Sequence, residues 1–250
     1  MVTNNNSYST TTKQNHKIEQ VNMSLAVRLI IFGGAVKASD NSAFKFASKN
    51  VIADYKNDLP IKDYLIINGA NTVVSVLETQ KENTVQSLDL FCHGDPNGIY
   101  FVIGSSLEKN VENKERKPIA SNIYRYRRTV YTEGIFDPAK RLKNQFCIAE
   151  LNLKAFTNES KIEIHGCNTG RGDDCFASEL SKQLYDAGKV KSVVIGHASK
   201  ANPNIGGTTS VTKQDYRHGT RIIYHNGKAL KTVTSSGRIS ANIIKAAIGG

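Results

Sequence analysis

The sequence predicts an α/β fold built on a mostly parallel central sheet flanked by helices. Three observations carry that expectation. From residue 25 onward, apolar runs of strand length alternate with segments of helical period, the pattern of strands laid side by side with helices packed on the sheet faces. Several of these runs stop at glycine, as in Phe32-Gly33-Gly34, Asn68-Gly69, His93-Gly94 and His165-Gly166. Near the end, two short strands flank His225-Asn226-Gly227-Lys228, and an Asn-Gly pair between apolar runs is a strong hairpin signal.

Each element follows from local pattern. Leu25 to Phe32 reads as a buried strand. Ser39 to Asp54 has helical rhythm, with Phe44, Ala47, Val51 and Ile52 on one face and Ser39 or Asp40 as the expected N-cap. Asp63 to Asn68 is a short strand, and Val73 to Thr79 is a strand or a short helix. Ser87 to Cys92 is a strand, and Ile99 to Ile103 is another, reached through the turn Asp95-Pro96-Asn97-Gly98. Residues 105–128 are polar and basic and read as an exposed insertion ending in Tyr124-Arg125-Tyr126-Arg127-Arg128. Asp137 to Leu151 is expected to be helix, Ser160 to His165 strand, Asp173 to Ala187 an amphipathic helix stopped by Gly188, and Ser192 to Gly196 a buried strand. Arg221 to Tyr224 and Ala229 to Val233 form the hairpin, and residues 239–248 a short terminal helix.

Composition narrows the class. The 250 residues form one domain over 23–250, preceded by an Asn/Ser/Thr-rich tail over 1–22 with almost nothing apolar to offset ordering. That tail is expected to be disordered and is a candidate secretion signal. The formal charge of +11 points to an anionic partner. The four cysteines, Cys92, Cys147, Cys167 and Cys175, lack CxxC spacing, so a zinc or redox motif is not expected and free thiols are. The N-terminus has neither the basic head nor the long apolar stretch of a Sec-type signal peptide, and no membrane span is expected.

The chemistry sits at two strand ends. Leu88-Asp89-Leu90-Phe91-Cys92 runs into His93-Gly94, and Ile162-Glu163-Ile164-His165-Gly166 runs into Cys167-Asn168. In open parallel sheets, functional groups gather beyond the carboxyl ends of strands. A thiol with an imidazole in reach is the minimum kit for cysteine nucleophilic catalysis, because the thiolate attacks and the imidazole manages its proton. Cys167 is the candidate nucleophile and His93 the candidate base and acid. Gly94 and Gly166 let backbone amides approach a substrate oxyanion, and Asp40 is the candidate third member. Cys92 and His165 read as core, the neighbours that face the other way on an alternating strand; Cys147 and Cys175 read as structural. For Cys167 alone, a buried structural thiol is the competing reading.

The same residues carry a resemblance. His-Gly after one strand and Gly-Cys after a later one resembles caspase-like (clan CD) cysteine peptidases, and Ile162 to Asn168 is similar to the catalytic strand of the cysteine protease domains of large bacterial toxins, the clostridial glucosylating and MARTX toxins. Phe44-Lys45-Phe46-Ala47-Ser48-Lys49 is similar to a helix whose lysine meets phosphate there, and Gly219 to Lys228 resembles the basic β-flap of that family. The likeness spans roughly residues 24–235.

What the resemblance implies is a caspase-like fold with a C-terminal basic flap, a bacterial effector peptidase, and activation by inositol hexakisphosphate in the cytosol of a eukaryotic host. The substrate would be a host protein or the chain itself. Neither a metal nor a specific nucleic acid is implied, and the chain would be a monomer. Arg28, Lys49, Arg217, Arg221, Lys228, Lys231 and Lys245 are the expected phosphate contacts. A non-catalytic inositol-phosphate-binding module and an inositol-phosphate-activated acyltransferase are the alternatives. The chain departs from the family in having Gly33-Gly34-Ala35-Val36 where clostridial members have an acid, in lacking tryptophan, and in its 105–128 insertion.

Overall fold

The computed structural model describes residues 26–104, 118–127, 129–132, 135–141 and 144–249. The chain runs through β1 (Val27–Gly33), α1 (Ala38–Tyr55), β2 (Ile61–Ile66), α2 (Ala70–Glu78) and β3 (Val85–Phe91), then β4 (His93–Asp95), β5 (Gly98–Ile103), β6 (Ile119–Tyr124), β7 (Thr129–Thr132), β8 (Ile135–Arg141) and β9 (Gln145–Cys147). It continues with β10 (Phe156–Ile164), α3 (Phe176–Asp186), β11 (Val193–His197), β12 (Arg221–His225), β13 (Lys228–Val233) and α4 (Ala241–Ile248).

A seven-stranded sheet in the order β13-β12-β11-β10-β3-β1-β2 forms the centre. Its β2, β1, β3, β10 and β11 are parallel, and the β12–β13 hairpin adds on antiparallel to β11. The expected α/β class with a mostly parallel sheet is what the chain adopts. A second sheet, β4-β5-β6-β9, and the hairpin β7-β8 complete it.

The inner strands β1, β3, β10 and β11 are buried on both faces, and strand alternation sorts their side chains. On one face Leu29, Ile31, Leu88, Leu90, Ile162, Ile164 and Val194 pack against α2 and α3, with Val73, Leu77, Phe176, Leu180 and Leu184. On the other, Ile30, Phe32 and Phe91 meet Phe44, Ala47, Val51 and Tyr55 of α1, and Val193, Ile195 and Ile223 meet Ile239 and α4. Each fully buried side chain of this kind contributes about 1.5–3 kcal/mol.

Three local expectations are corrected. Residues 137–151 are not a helix: Ile135–Arg141 is β8, paired antiparallel with β7, and Gln145–Cys147 is β9 before a single 3-10 turn at Ile148–Glu150. Local helical rhythm lost there to pairing with Thr129–Thr132, a partner that the period of 137–151 does not encode. Neither Ser39 nor Asp40 is the N-cap of α1; the cap is Lys37, and Asp40 lies in the first turn. The proposed insertion is in part a structural strand, because β6 pairs with both β5 and β9 and buries Ser121, Asn122 and Ile123. The tail over 1–22 and the residues 105–117 lie outside the described residues. No described helix is long and apolar enough to cross a membrane.

Candidate active site

The pairing register places the two motifs side by side. β3 and β10 pair in parallel through Leu88↔Ile162, Asp89↔Glu163 and Leu90↔Ile164, and the His165 N–H donates to the Leu90 carbonyl at 2.8 Å. Past the last paired residues the two strand ends stay side by side: a Cβ built on Gly166 would lie 3.4 Å from the Cys92 carbonyl oxygen, and one on Gly94 would lie 3.4 Å from the Cys167 carbonyl oxygen. The two turns are in contact: a Cβ built on Gly166 would lie 3.4 Å from the Gly94 Cα, and one on Gly94 would lie 2.6 Å from Thr169 Cγ2. Glycine at both positions is therefore what lets the two turns meet.

Asp40 completes the arrangement from the first turn of α1, the helix that follows the neighbouring strand β1. The chain reverses its order in the sheet between β1 and β3, and in open α/β sheets such a switch point is where functional groups gather, beyond the carboxyl ends of the strands. Asn41 closes the loop after β1 by accepting from the Ala35 N–H at 2.9 Å and donating to the Ala35 carbonyl at 2.8 Å. That clamp sets the first turn of α1, and Asp40 Oδ2 comes to 3.2 Å from His93 Nε2. A carboxylate on Nε2 favours the proton there and leaves Nδ1 as the ring nitrogen open to a thiol. Phe44 of α1 meets the His93 ring edge-on at 5.5 Å, so one helix both orients and walls the imidazole.

Cys167 is partly exposed, while Cys92, Cys147 and Cys175 are buried. Its Sγ faces the Ala201 carbonyl at 3.8 Å. The loop that holds it is pinned on both flanks. Asn168, in the left-handed region at φ 56°, donates its N–H to Ser199 O at 2.9 Å, and Gly170 donates to His197 O at 2.9 Å. The Tyr224 hydroxyl makes hydrogen bonds with the carbonyls of Gly170 and Gly172 at 2.9 and 2.8 Å. Burial pushes the Cys92 thiol well above the ordinary thiol range, with Cys167 adding to the effect.

Beneath the site lies an ionic core that sequence reading missed. His165 Nε2 is 3.0 Å from Asp89 Oδ1, both fully buried, and the His165 ring stacks on Phe91 at 4.2 Å. His165 was expected as a packed core imidazole; it is buried, and it is also paired. Glu163 takes Lys161 at 3.0 Å and Arg221 at 2.6 Å. Burial acts to raise the Glu163 carboxyl, but Lys161, His165 and Arg221 outweigh it and hold it far below the usual carboxylate range. Asp89, Glu163 and His165 hold their ligand atoms within 4.8 Å of one another. A cation there would add to the charge of Lys161 and Arg221, so the triad fits an internal salt bridge and we assign it no metal. The signal was present in the sequence: Asp89, Lys161, Glu163 and Arg221 are polar residues at inward positions of apolar strands.

The expected phosphate contacts scatter. Arg221 is fully buried; besides Glu163 it donates to the carbonyls of Ser235 and Gly237 at 2.7 and 3.0 Å. Arg217 is buried between Asp215 at 2.6 Å and Asp54 at 2.7 Å. Both were expected as phosphate contacts; each is instead a desolvated guanidinium already held by internal carboxylates and, for Arg221, by carbonyls. Lys49 is exposed on α1, and Lys228 and Lys231 are exposed on β13. Arg28 and Lys245 do come together, in a cavity of about 490 Å³ below α4, at the amino ends of the strands and so opposite His93 and Cys167. Lys161, Lys191 and Arg238 line it with them, together with Glu159 and apolar residues of the C-terminal segment such as Ile239, Ile244 and Ile248. Asp58 is shared by Arg28 at 2.8 Å and Arg238 at 2.9 Å, so one carboxylate faces two guanidiniums.

No family model, curated protein or solved structure matches the chain. The functional reading therefore stands on the geometry of the site and on the resemblance of Ile162 to Asn168.

Proposed function

We propose that this chain is a cysteine endopeptidase in which Cys167 attacks, His93 is general base and acid, and Asp40 orients His93. The observation that carries the reading is the convergence of an Asp40–His93 pair at 3.2 Å with a partly exposed thiol on the adjoining strand end. In the proposed step, His93 takes the Cys167 proton, sulfur adds to the scissile carbonyl carbon, and the amide nitrogen leaves with the proton from His93. Water then hydrolyses the thioester. Gly94 and Gly166 keep backbone amides beside the developing oxyanion.

Peptide as the substrate, and a caspase-like fold around it, come from the resemblance of Ile162 to Asn168. The cation-lined cavity supports the second half of that reading, an inositol polyphosphate regulator such as inositol hexakisphosphate. Several converging cations suit a dense polyanion through charge-assisted hydrogen bonds, and a ligand that binds one state better shifts the population toward it. In this reading the chain is a bacterial effector acting in the host cytosol, on a host protein or on itself.

The test is labelling by a thiol-reactive peptide probe with and without inositol hexakisphosphate. Labelling is expected with the ligand and absent in Cys167→Ala. Persistent labelling of Cys167→Ala rejects the nucleophile, and ligand-independent labelling rejects the switch.

A further inference from the structure

The run Tyr124-Arg125-Tyr126-Arg127 plays no part in the reading above. It follows β6, and its second residue turns inward: Arg125 is only 6% exposed. The Arg125 N–H donates to the Asn97 carbonyl at 2.9 Å, in the turn between β4 and β5. Asp95 Oδ1 closes the same turn by accepting from the N–H groups of Asn97 and Gly98 at 2.6 and 3.1 Å. β4 begins at His93, so the backbone of Arg125 holds the hairpin that carries the candidate base.

The guanidinium reaches the other way. Nη1 donates to the Asp174 carbonyl at 2.6 Å. Nη2 donates to the Asp174 carboxylate and, at 3.1 Å, to the Tyr126 hydroxyl. The Tyr126 ring covers the guanidinium at 4.8 Å, and its hydroxyl donates to Glu179 of α3 at 3.1 Å. Asp174 belongs to the loop that leads from Cys167 into α3. Two donors to one residue, under an aromatic cover, need the planar fork of arginine, which lysine does not have.

We infer that Arg125 is a positioning residue for the Cys167–His93 pair, joining the His93 hairpin to the Cys167 loop and thereby setting the distance between base and nucleophile. The inference rests on the catalytic reading above. It assigns Arg125 no contact with substrate.

The test uses the full chain with inositol hexakisphosphate present throughout. Alkylation by iodoacetamide is timed at pH 6 and pH 9, with Cys167→Ala as background. Only thiolate reacts, so the ratio of the two rates reports how well His93 serves the thiol. In His93→Ala and Arg125→Ala that ratio is expected to fall about tenfold or more, with Arg125→Lys in between and the near-UV circular dichroism unchanged. Arg125→Lys carries the test if Arg125→Ala does not fold. An unchanged ratio in a folded Arg125 variant, with His93→Ala reduced, overturns the positioning role and leaves the catalytic reading standing. An unchanged ratio in His93→Ala overturns the catalytic reading, and the positioning role falls with it.

Discussion

Arg221 and Glu163 meet inside the protein, Nη1 to Oε1 at 2.6 Å, with both side chains fully buried. The pair ties the C-terminal hairpin to β10, the strand that runs out to Cys167. It also builds β12 into the core, while β13 stays mostly exposed beside it.

Breaking that pair from one side takes a partner from a buried charge: Arg221→Met leaves Glu163 with Lys161 alone, and Glu163→Gln leaves both Arg221 and Lys161 without a carboxylate. Arg221→Met and Glu163→Gln are each expected to cost about 3–5 kcal/mol. Urea unfolding measures it. The double variant Arg221→Met/Glu163→Gln should cost less than the two single losses added, because the Arg221–Glu163 contact is then lost only once, while Lys161 loses its carboxylate in both Glu163 variants. Simple additivity would show that the residues do not act as a pair.

Acid should destabilise the fold in two ranges. Burial, helped by the nearby His165, lowers the His197 imidazole to about 3. The unfolded chain therefore takes up a proton near pH 6.5 that the folded chain refuses. Stability from this group is full above about pH 6.5 and declines by about 1.4 kcal/mol per pH unit below it. Glu163, held low in the fold, loses its contribution only as pH falls below its unfolded value of about 4.3. Urea midpoints measured from pH 7 to pH 5 should show the first decline, and His197→Gln should flatten it. An equally steep decline in that variant would assign the effect elsewhere.

Asp40→Asn keeps the shape beside His93 and removes the charge. Probe labelling of Cys167 is expected to slow by about tenfold to a hundredfold, the scale of misplaced catalytic groups. His93→Ala should cost about a hundredfold to ten-thousandfold, the range for general acid–base catalysis. If Asp40→Asn labels as fast as the parent chain, a two-residue mechanism is correct.

The anion cavity and the exposed hairpin make different predictions. At about a hundred times its Kd, a ligand adds about 2.7 kcal/mol to stability. A thermal shift with inositol hexakisphosphate should largely disappear in Arg238→Ala/Lys245→Ala and survive in Lys228→Ala/Lys231→Ala. The reverse pattern would place the polyanion on β13.

Gly196 of β11 lies against Gly170 in the Cys167 loop, and a Cβ built there would come 2.7 Å from the Gly170 nitrogen. Gly196→Ala is expected to cost about 1–3 kcal/mol by overpacking and to slow labelling by moving the loop. Unchanged labelling in a destabilised variant would mean that the loop absorbs the methyl group without moving Cys167.

Local sequence was enough for most strands and helices of the central sheet and for the two strand-end motifs. The alternation in Leu88 to Phe91 and Ile162 to Ile164, the glycines that stop those strands, and the Asn226-Gly227 turn are each encoded within a few residues. Strand period and turn chemistry act over that range, so the α/β class and the candidate nucleophile and base were legible. The tertiary structure alone decided who partners whom. A carboxylate at Asp40 reaches His93 only because β1 lies beside β3. Arg217 and Arg221 read from sequence as phosphate contacts, and the fold sets Asp54, Asp215 and Glu163 against them. Arg28, Lys161 and Arg238, far apart in the chain, share one cavity. Residues 135–141 became a strand because Thr129–Thr132 was there to pair with. A charge carries no mark in the sequence of whether it will face water or an acid from another strand, and that choice settles whether it can bind a ligand or must hold the fold.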